Sequence, residues 1–148
     1  MKSIFNKDEL LSVSILKNEE LQFYGNGKRK ILILIQKEEN NEINVEFLKK
    51  ILNAKKLNFE EDVFLLPIDK IHLSIFQIKK DKEIEQVIFF GTAPNQLGLN
   101  INLPKYQIIE FNGLTLMKSD AISKIAKDES LKRSLWGCLK DWPLIEIK

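Results

Sequence analysis

"KILILIQ", Lys30–Gln36, is apolar at five successive positions, with no alternation of apolar and polar residues. A strand with one wet face alternates with period two, so this unbroken Ile-Leu run predicts a strand covered on both faces, at the centre of a largely parallel sheet. The sequence downstream fits. "NVEFLKKILNAKKL", 44–57, places Phe47, Leu48, Ile51 and Leu52 on one helical stripe and Lys49, Lys50 and Lys55 off it, the pattern of an amphipathic covering helix. "DVFLLP", 62–67, predicts a second buried strand, stopped by Pro67 because its ring nitrogen cannot donate to a ladder. "HLSIFQIK", 72–79, alternates loosely and reads as a further strand, and "VIFF", 87–90, as a third buried one. Strand, helix, strand in this order implies a right-handed crossover with helices on both faces.

The last third changes style. "YQIIEFNGLTLM", 106–117, holds Asn112-Gly113 between two β-prone runs, a pair that readily takes the positive φ values of a tight hairpin turn. Ser119 is placed to cap a helix in "DAISKIA", and Asp128 to cap "ESLKRSLWGCLKDW" before Pro143. In the latter, Leu131, Leu135, Cys138, Leu139 and Trp142 share one apolar face, which makes Trp142 a core residue and leaves Trp136 as an anchor for core or interface.

The 148 residues, 44% hydrophobic and 30% charged, suit one globular domain over 19–148, preceded by a segment at 1–18 with its own helical signal. There Asn6 and Glu9 have capping-box spacing, and Leu10, Leu11, Ile15 and Leu16 follow on a partly apolar face. "YGNGKRK" then breaks the chain before the first strong strand. Lys+Arg (23) against Asp+Glu (21) leaves a net charge of +2, too little for a global field to grip nucleic acid strongly or to seek an acidic membrane. The apolar runs are far too short to span a bilayer, and the charged N-terminus lacks the apolar core of a signal peptide, so the expected location is cytoplasmic.

Catalytic chemistry has few carriers. His72, the only histidine, has no carboxylate or cysteine at ligand-like spacing and reads as a packing or surface residue. Cys138 sits between Leu135 and Leu139, where a thiol behaves as a small hydrophobe. The glycines match neither a phosphate loop nor a dinucleotide fingerprint, no metal or cofactor is expected, and the scattered basic pairs read as a solvated charged surface, a nucleic-acid stripe arising only if folding collects them.

The loop after the third strand, "GTAPNQLGLN", 91–100, is the one place that resembles working parts of known proteins. A strand followed by Gly-x-x-Pro is similar to the water-activating loop of uracil-DNA glycosylases, but Ala93 stands where that family holds an aspartate, and an alanine cannot activate water. "QLGLN" is similar to the peptide with which bacterial proteins dock on the sliding clamp, with Asn100 in place of its final aromatic. Asn95, Gln96, Leu97 and Leu99 are therefore the candidate loop site. A plain strand-to-loop turn is the alternative. An enzyme that processes nucleotides or DNA bases would use Asn95 and Gln96 to read a base edge.

Taken in order, two long stretches resemble the bacterial DNA polymerase III psi subunit. They are "KRKILILIQKEENNEINVEFLKKILNAKKLNFEEDVFLLPIDK", 28–70, and "FNGLTLMKSDAISKIAKDESLKRSLWGCLKDWP", 111–143, whose Leu135-Trp136 matches a Leu-Trp pair on that family's terminal helix. The resemblance implies an α/β fold, a three-layer α/β/α sandwich with a mainly parallel sheet, distantly similar to the uracil-DNA glycosylase fold but without its catalysis. It implies a connector rather than an enzyme: an N-terminal arm that binds the clamp-loader gamma/tau subunits, and a folded domain that binds a chi-like subunit. By that analogy Phe5, Leu10, Leu11, Ile15 and Leu16 are the arm's apolar anchors, a short helix that gains stability in a partner's groove. The family's arm carries a tryptophan followed by basic residues and a proline. Here the chain reads "SILKNEELQFYG", 14–25, and Phe23 and Tyr24 stand in for the missing aromatic.

Overall fold

The computed structural model describes residues 21–69 and 74–144. The expectations for 1–18, including Phe5, Leu10, Leu11, Ile15 and Leu16, and for His72 lie outside them.

The Ile-Leu run becomes β1 (Ile31–Gln36), buried at every position but the last. It pairs in parallel with β2 (Val63–Ile68) on one side and β3 (Gln86–Phe90) on the other. β3 pairs in parallel with β5 (Leu114–Ser119), which carries the antiparallel β4 (Ile109–Phe111) at the far edge, giving the order β2-β1-β3-β5-β4. Alternation along β1 divides its residues between two cores. Ile31, Ile33 and Ile35 face one cluster with Leu48, Leu52, Ile122, Ile125, Leu135 and Trp142, whereas Leu32 and Leu34 face another with Ile75, Ile78, Leu97, Leu99 and Leu103. The fold is thus α/β, a five-stranded, mainly parallel sheet flanked by helices.

The first cluster is covered by α1 (Glu42–Ala54), α4 (Ile122–Ala126) and α5 (Glu129–Lys140). Asn41 caps α1 by accepting from the Asn44 backbone N–H, and Asp128 caps α5 by accepting from those of Ser130 and Leu131. A short α2 (Phe59–Asp62) leads into β2. Asn58 Oδ1 accepts from Glu61 N at 2.8 Å and Asp62 Oδ2 accepts from Asn58 N at 2.7 Å, so each end of this turn satisfies the other.

Three local expectations are corrected. "HLSIFQIK" is not a strand from Ser74 onward: Ser74 accepts from the Gln77 N–H and starts α3 (Ile75–Lys82), which buries Ile75 and Ile78 at the i, i+3 spacing of a helix. Pro67 does not stop β2. It lies in register with Ile35, and Ile68 continues the strand, which is tolerated because β2 is an edge strand. Ser119 does not cap α4 but ends β5, its hydroxyl donating to the Phe89 and Asp120 carbonyls, while Ala121 takes the cap position. The hairpin at Asn112-Gly113 forms as expected, with φ of 51° and 82°.

"YGNGKRK" is laced onto the sheet. Tyr24 and Leu65 exchange backbone hydrogen bonds at 2.9 and 2.8 Å, and Asn26 N donates to Glu60 O at 2.8 Å. Phe23 packs edge-to-face on Phe64 at 5.8 Å, with the Lys82 ammonium 4.9 Å over its ring. Gly27 is needed here: its φ is 61°, and a Cβ would stand 2.1 Å from the Phe64 ring.

Candidate functional site

Open parallel sheets place ligands at the carboxyl ends of their strands, because helix and loop connections diverge there. In this chain the ends of β3 and β5 frame a crevice of about 270 Å³, lined by Gly91–Ala93, Gln96, Lys105 and the run Lys118–Ala121. Gly91, at φ 66°, lets the chain turn against Ala121, whose Cα would lie 2.9 Å from any added Cβ. Gln36 at the end of β1 donates to Gly91 O at 3.0 Å and pins the turn from the other side.

The loop residues singled out from sequence divide. Leu97 and Leu99 are buried in the second core, where no clamp surface can reach them. Gln96 is turned inward: its Oε1 accepts from Ala93 N at 2.9 Å and its Nε2 donates to Asp69 O at 3.4 Å, so it holds the loop together. Asn95 alone of the four is exposed. Ala93 lines the crevice and presents only a methyl group.

The polar heart of the crevice was missed in the sequence. Asp120, buried just beyond β5, receives Lys105 Nζ at 2.6 Å, Lys124 Nζ at 3.4 Å and the Tyr106 hydroxyl at 2.7 Å. Burial pushes the Asp120 carboxyl up, but the hydrogen bonds from Lys105 and Tyr106 outweigh it and hold the group below the ordinary aspartate value. Burial, then the hydrogen bond to Asp120, pushes the Tyr106 phenol up to about 12. Tyr106 also sits at φ 59°, a left-handed conformation that costs a non-glycine residue about 1 kcal/mol or more. Beside it, Lys105 and Lys118 face each other across a parallel bridge. Thr92 is buried, and its hydroxyl has no hydrogen-bond partner among the described residues.

Cys138 is buried in the first core, and burial, then the Asp141 charge, raises its thiol above the ordinary value, away from the reactive thiolate. Among the described residues no three His, Cys, Asp or Glu side chains gather as a metal site, and no helix is long and apolar enough to cross a membrane.

A second feature lies on the helical face. α5 turns Leu135, Cys138 and Leu139 into the core, which leaves Trp136, one position off that stripe, 38% exposed. With Phe47, Ile51 and Ala54 of α1 and the flank of Leu135, Trp136 lines an apolar groove of about 240 Å³, rimmed by Lys50 and Lys132. Lys132 pairs with Glu129 at 2.9 Å, whereas Lys50 has no ion-pair partner among the described residues. Phe47 and Lys50 also line an adjoining depression containing Ile43, which is 80% exposed. The helical stripe of α1 predicted Phe47 and Ile51 as cover; the structure buries them only by half, so their outer edges form the groove wall. Phe23 is half-buried in packing and Tyr24 is exposed beside β2, so neither belongs to this surface.

Comparison with known proteins finds neither a family model nor a curated relative that matches the chain.

Proposed function

We propose that the protein is a non-catalytic replication accessory protein of psi type, which links the clamp loader of DNA polymerase III to other replisome components. The observation that carries this reading is Trp136, held half-exposed over an apolar groove between two helices. A large aromatic beside a concave apolar surface is the usual composition of an interface anchor, and exposed apolar surface of this kind marks a contact site. It is also the tryptophan of the Leu-Trp pair in the psi-like pattern. On this reading the occupant is a chi-like subunit, and the lysine rim suits one that inserts an apolar side chain flanked by carboxylates. The N-terminal segment, 1–18, would serve the gamma/tau subunits.

A base-processing enzyme would need a group in the strand-end crevice free to activate water. Ala93 has none, and the Asp120 carboxylate is already engaged by three donors. A glycosylase assay on uracil- and mismatch-containing DNA, with Asn95→Ala as control, is expected to show no cleavage; activity lost in that variant would overturn the reading.

The direct test is co-elution of the full chain with the gamma/tau and chi-like subunits of its own cell. Binding at micromolar concentration is expected for both, with removal of residues 1–18 abolishing only the gamma/tau contact and Trp136→Ala only the chi-like one. Failure of the intact, folded chain to bind either subunit refutes the proposal.

A further inference from the structure

The geometry points to a phosphate-binding site in the crevice at the ends of β3 and β5, formed by Thr92, Lys105 and Lys118 and independent of the helical groove. Lys105 and Lys118 are directly opposite across a parallel bridge, and both line the cavity. Like charges in that relation repel, and a chain that gains nothing from them has no reason to hold them together. Asp120 offsets one of the two through its 2.6 Å contact with Lys105, but Lys124 also leans on the same carboxylate, at 3.4 Å. Two ammonium groups thus share one carboxylate, and Lys118, a third cation beside them, has no ion-pair partner among the described residues. The surplus is positive and local.

The same crevice is lined by Thr92, which is 3% exposed and whose hydroxyl has no hydrogen-bond partner among the described residues. Buried polar groups are nearly always satisfied, so an orphaned hydroxyl on the lining of a cationic cavity asks for an acceptor from a ligand. A phosphate group supplies several acceptor oxygens together with the charge that relieves the lysine pair. Size argues the same way. The cavity, about 270 Å³, is below the range of about 300–1,000 Å³ typical of drug-sized ligands, so it suits the phosphate group itself and not the whole of a larger ligand that carries one. The backbone at the site is built for position: Tyr106, strained at φ 59°, donates its N–H to Lys118 O at 2.8 Å and thereby fixes the two lysines in register.

Calorimetric titration of the full chain at constant ionic strength, with inorganic phosphate, adenosine 5′-monophosphate and adenosine as the probes, tests the site. Phosphate or the monophosphate is expected to bind with a Kd of about 1 mM or tighter, and adenosine not at all. Equal affinity for the first two identifies free phosphate as the ligand chemistry; tighter binding of the monophosphate identifies a phosphomonoester. Lys118→Gln and Thr92→Val are each expected to weaken binding about tenfold, with Lys80→Gln, on exposed α3 surface, leaving it unchanged. Thr92→Val, nearly isosteric, decides the matter if Lys118→Gln does not fold. Absence of heat up to about 10 mM, or equal weakening by Lys80→Gln, overturns the proposal, since the attraction is then only general surface charge.

Discussion

At Asp120 a single carboxylate organises three neighbours, the consecutive Lys105 and Tyr106 and, four residues past Asp120 itself, Lys124, and its charge is what they share. Because its folded-state pKa lies below the ordinary value, the stabilisation is complete above that value and is lost as pH falls through the folded one. Asp120→Asn should therefore make the unfolding free energy less sensitive to acidification below about pH 4, as read from urea denaturation across that range. Glycine positions make a second contrast. Gly27→Ala meets the Phe64 ring at a positive φ and is expected to cost about 2 kcal/mol or more, whereas Gly113→Ala, with open space around it, costs only the conformational penalty of about 1 kcal/mol. Little of this was legible in the sequence. Lys105, Tyr106, Lys118 and Asp120 meet only when β5 pairs with the chain before β4, and no local spacing announces that closure.

Elements were read best where one signal dominates. The Ile-Leu run, the Asn112-Gly113 turn and the Asp128 cap each impose a single backbone solution. The strand reading of 72–79 fails from Ser74 onward because a short apolar spacing fits a loose alternation as well as a helix, and the Ser74 cap decides between them only once its side chain is placed. On α1 and α5 the hydrophobic stripe gave the buried face but not how far the helices stand apart, which is what exposes Trp136 and the edges of Phe47 and Ile51. Leu48→Ala, at a fully buried position of α1, should cost about 2–5 kcal/mol in denaturant unfolding, and Trp136→Ala no more than about 1 kcal/mol. A comparably large loss from Trp136→Ala would make it a structural residue instead of an anchor.

For the molecule as a whole, two surfaces on one rigid sheet divide the chemistry. The strand ends gather polar and cationic groups, and the α1–α5 face offers an apolar groove with a basic rim. The α/β class followed from the order of the elements in the sequence, while the partner is written in neither the sequence nor the sheet and has to be asked of Trp136 itself. The other tryptophan, Trp142, is buried and donates its indole N–H to Gln86 at 2.8 Å, so a quencher in solution reports mainly on Trp136. Acrylamide quenching of the full chain, alone and with the chi-like subunit of its own cell at micromolar concentration, addresses the central claim most directly. The account predicts that the quenchable part of the emission becomes protected in the complex. A complex that forms with Trp136 still open to quencher, or no complex at all, would contradict it.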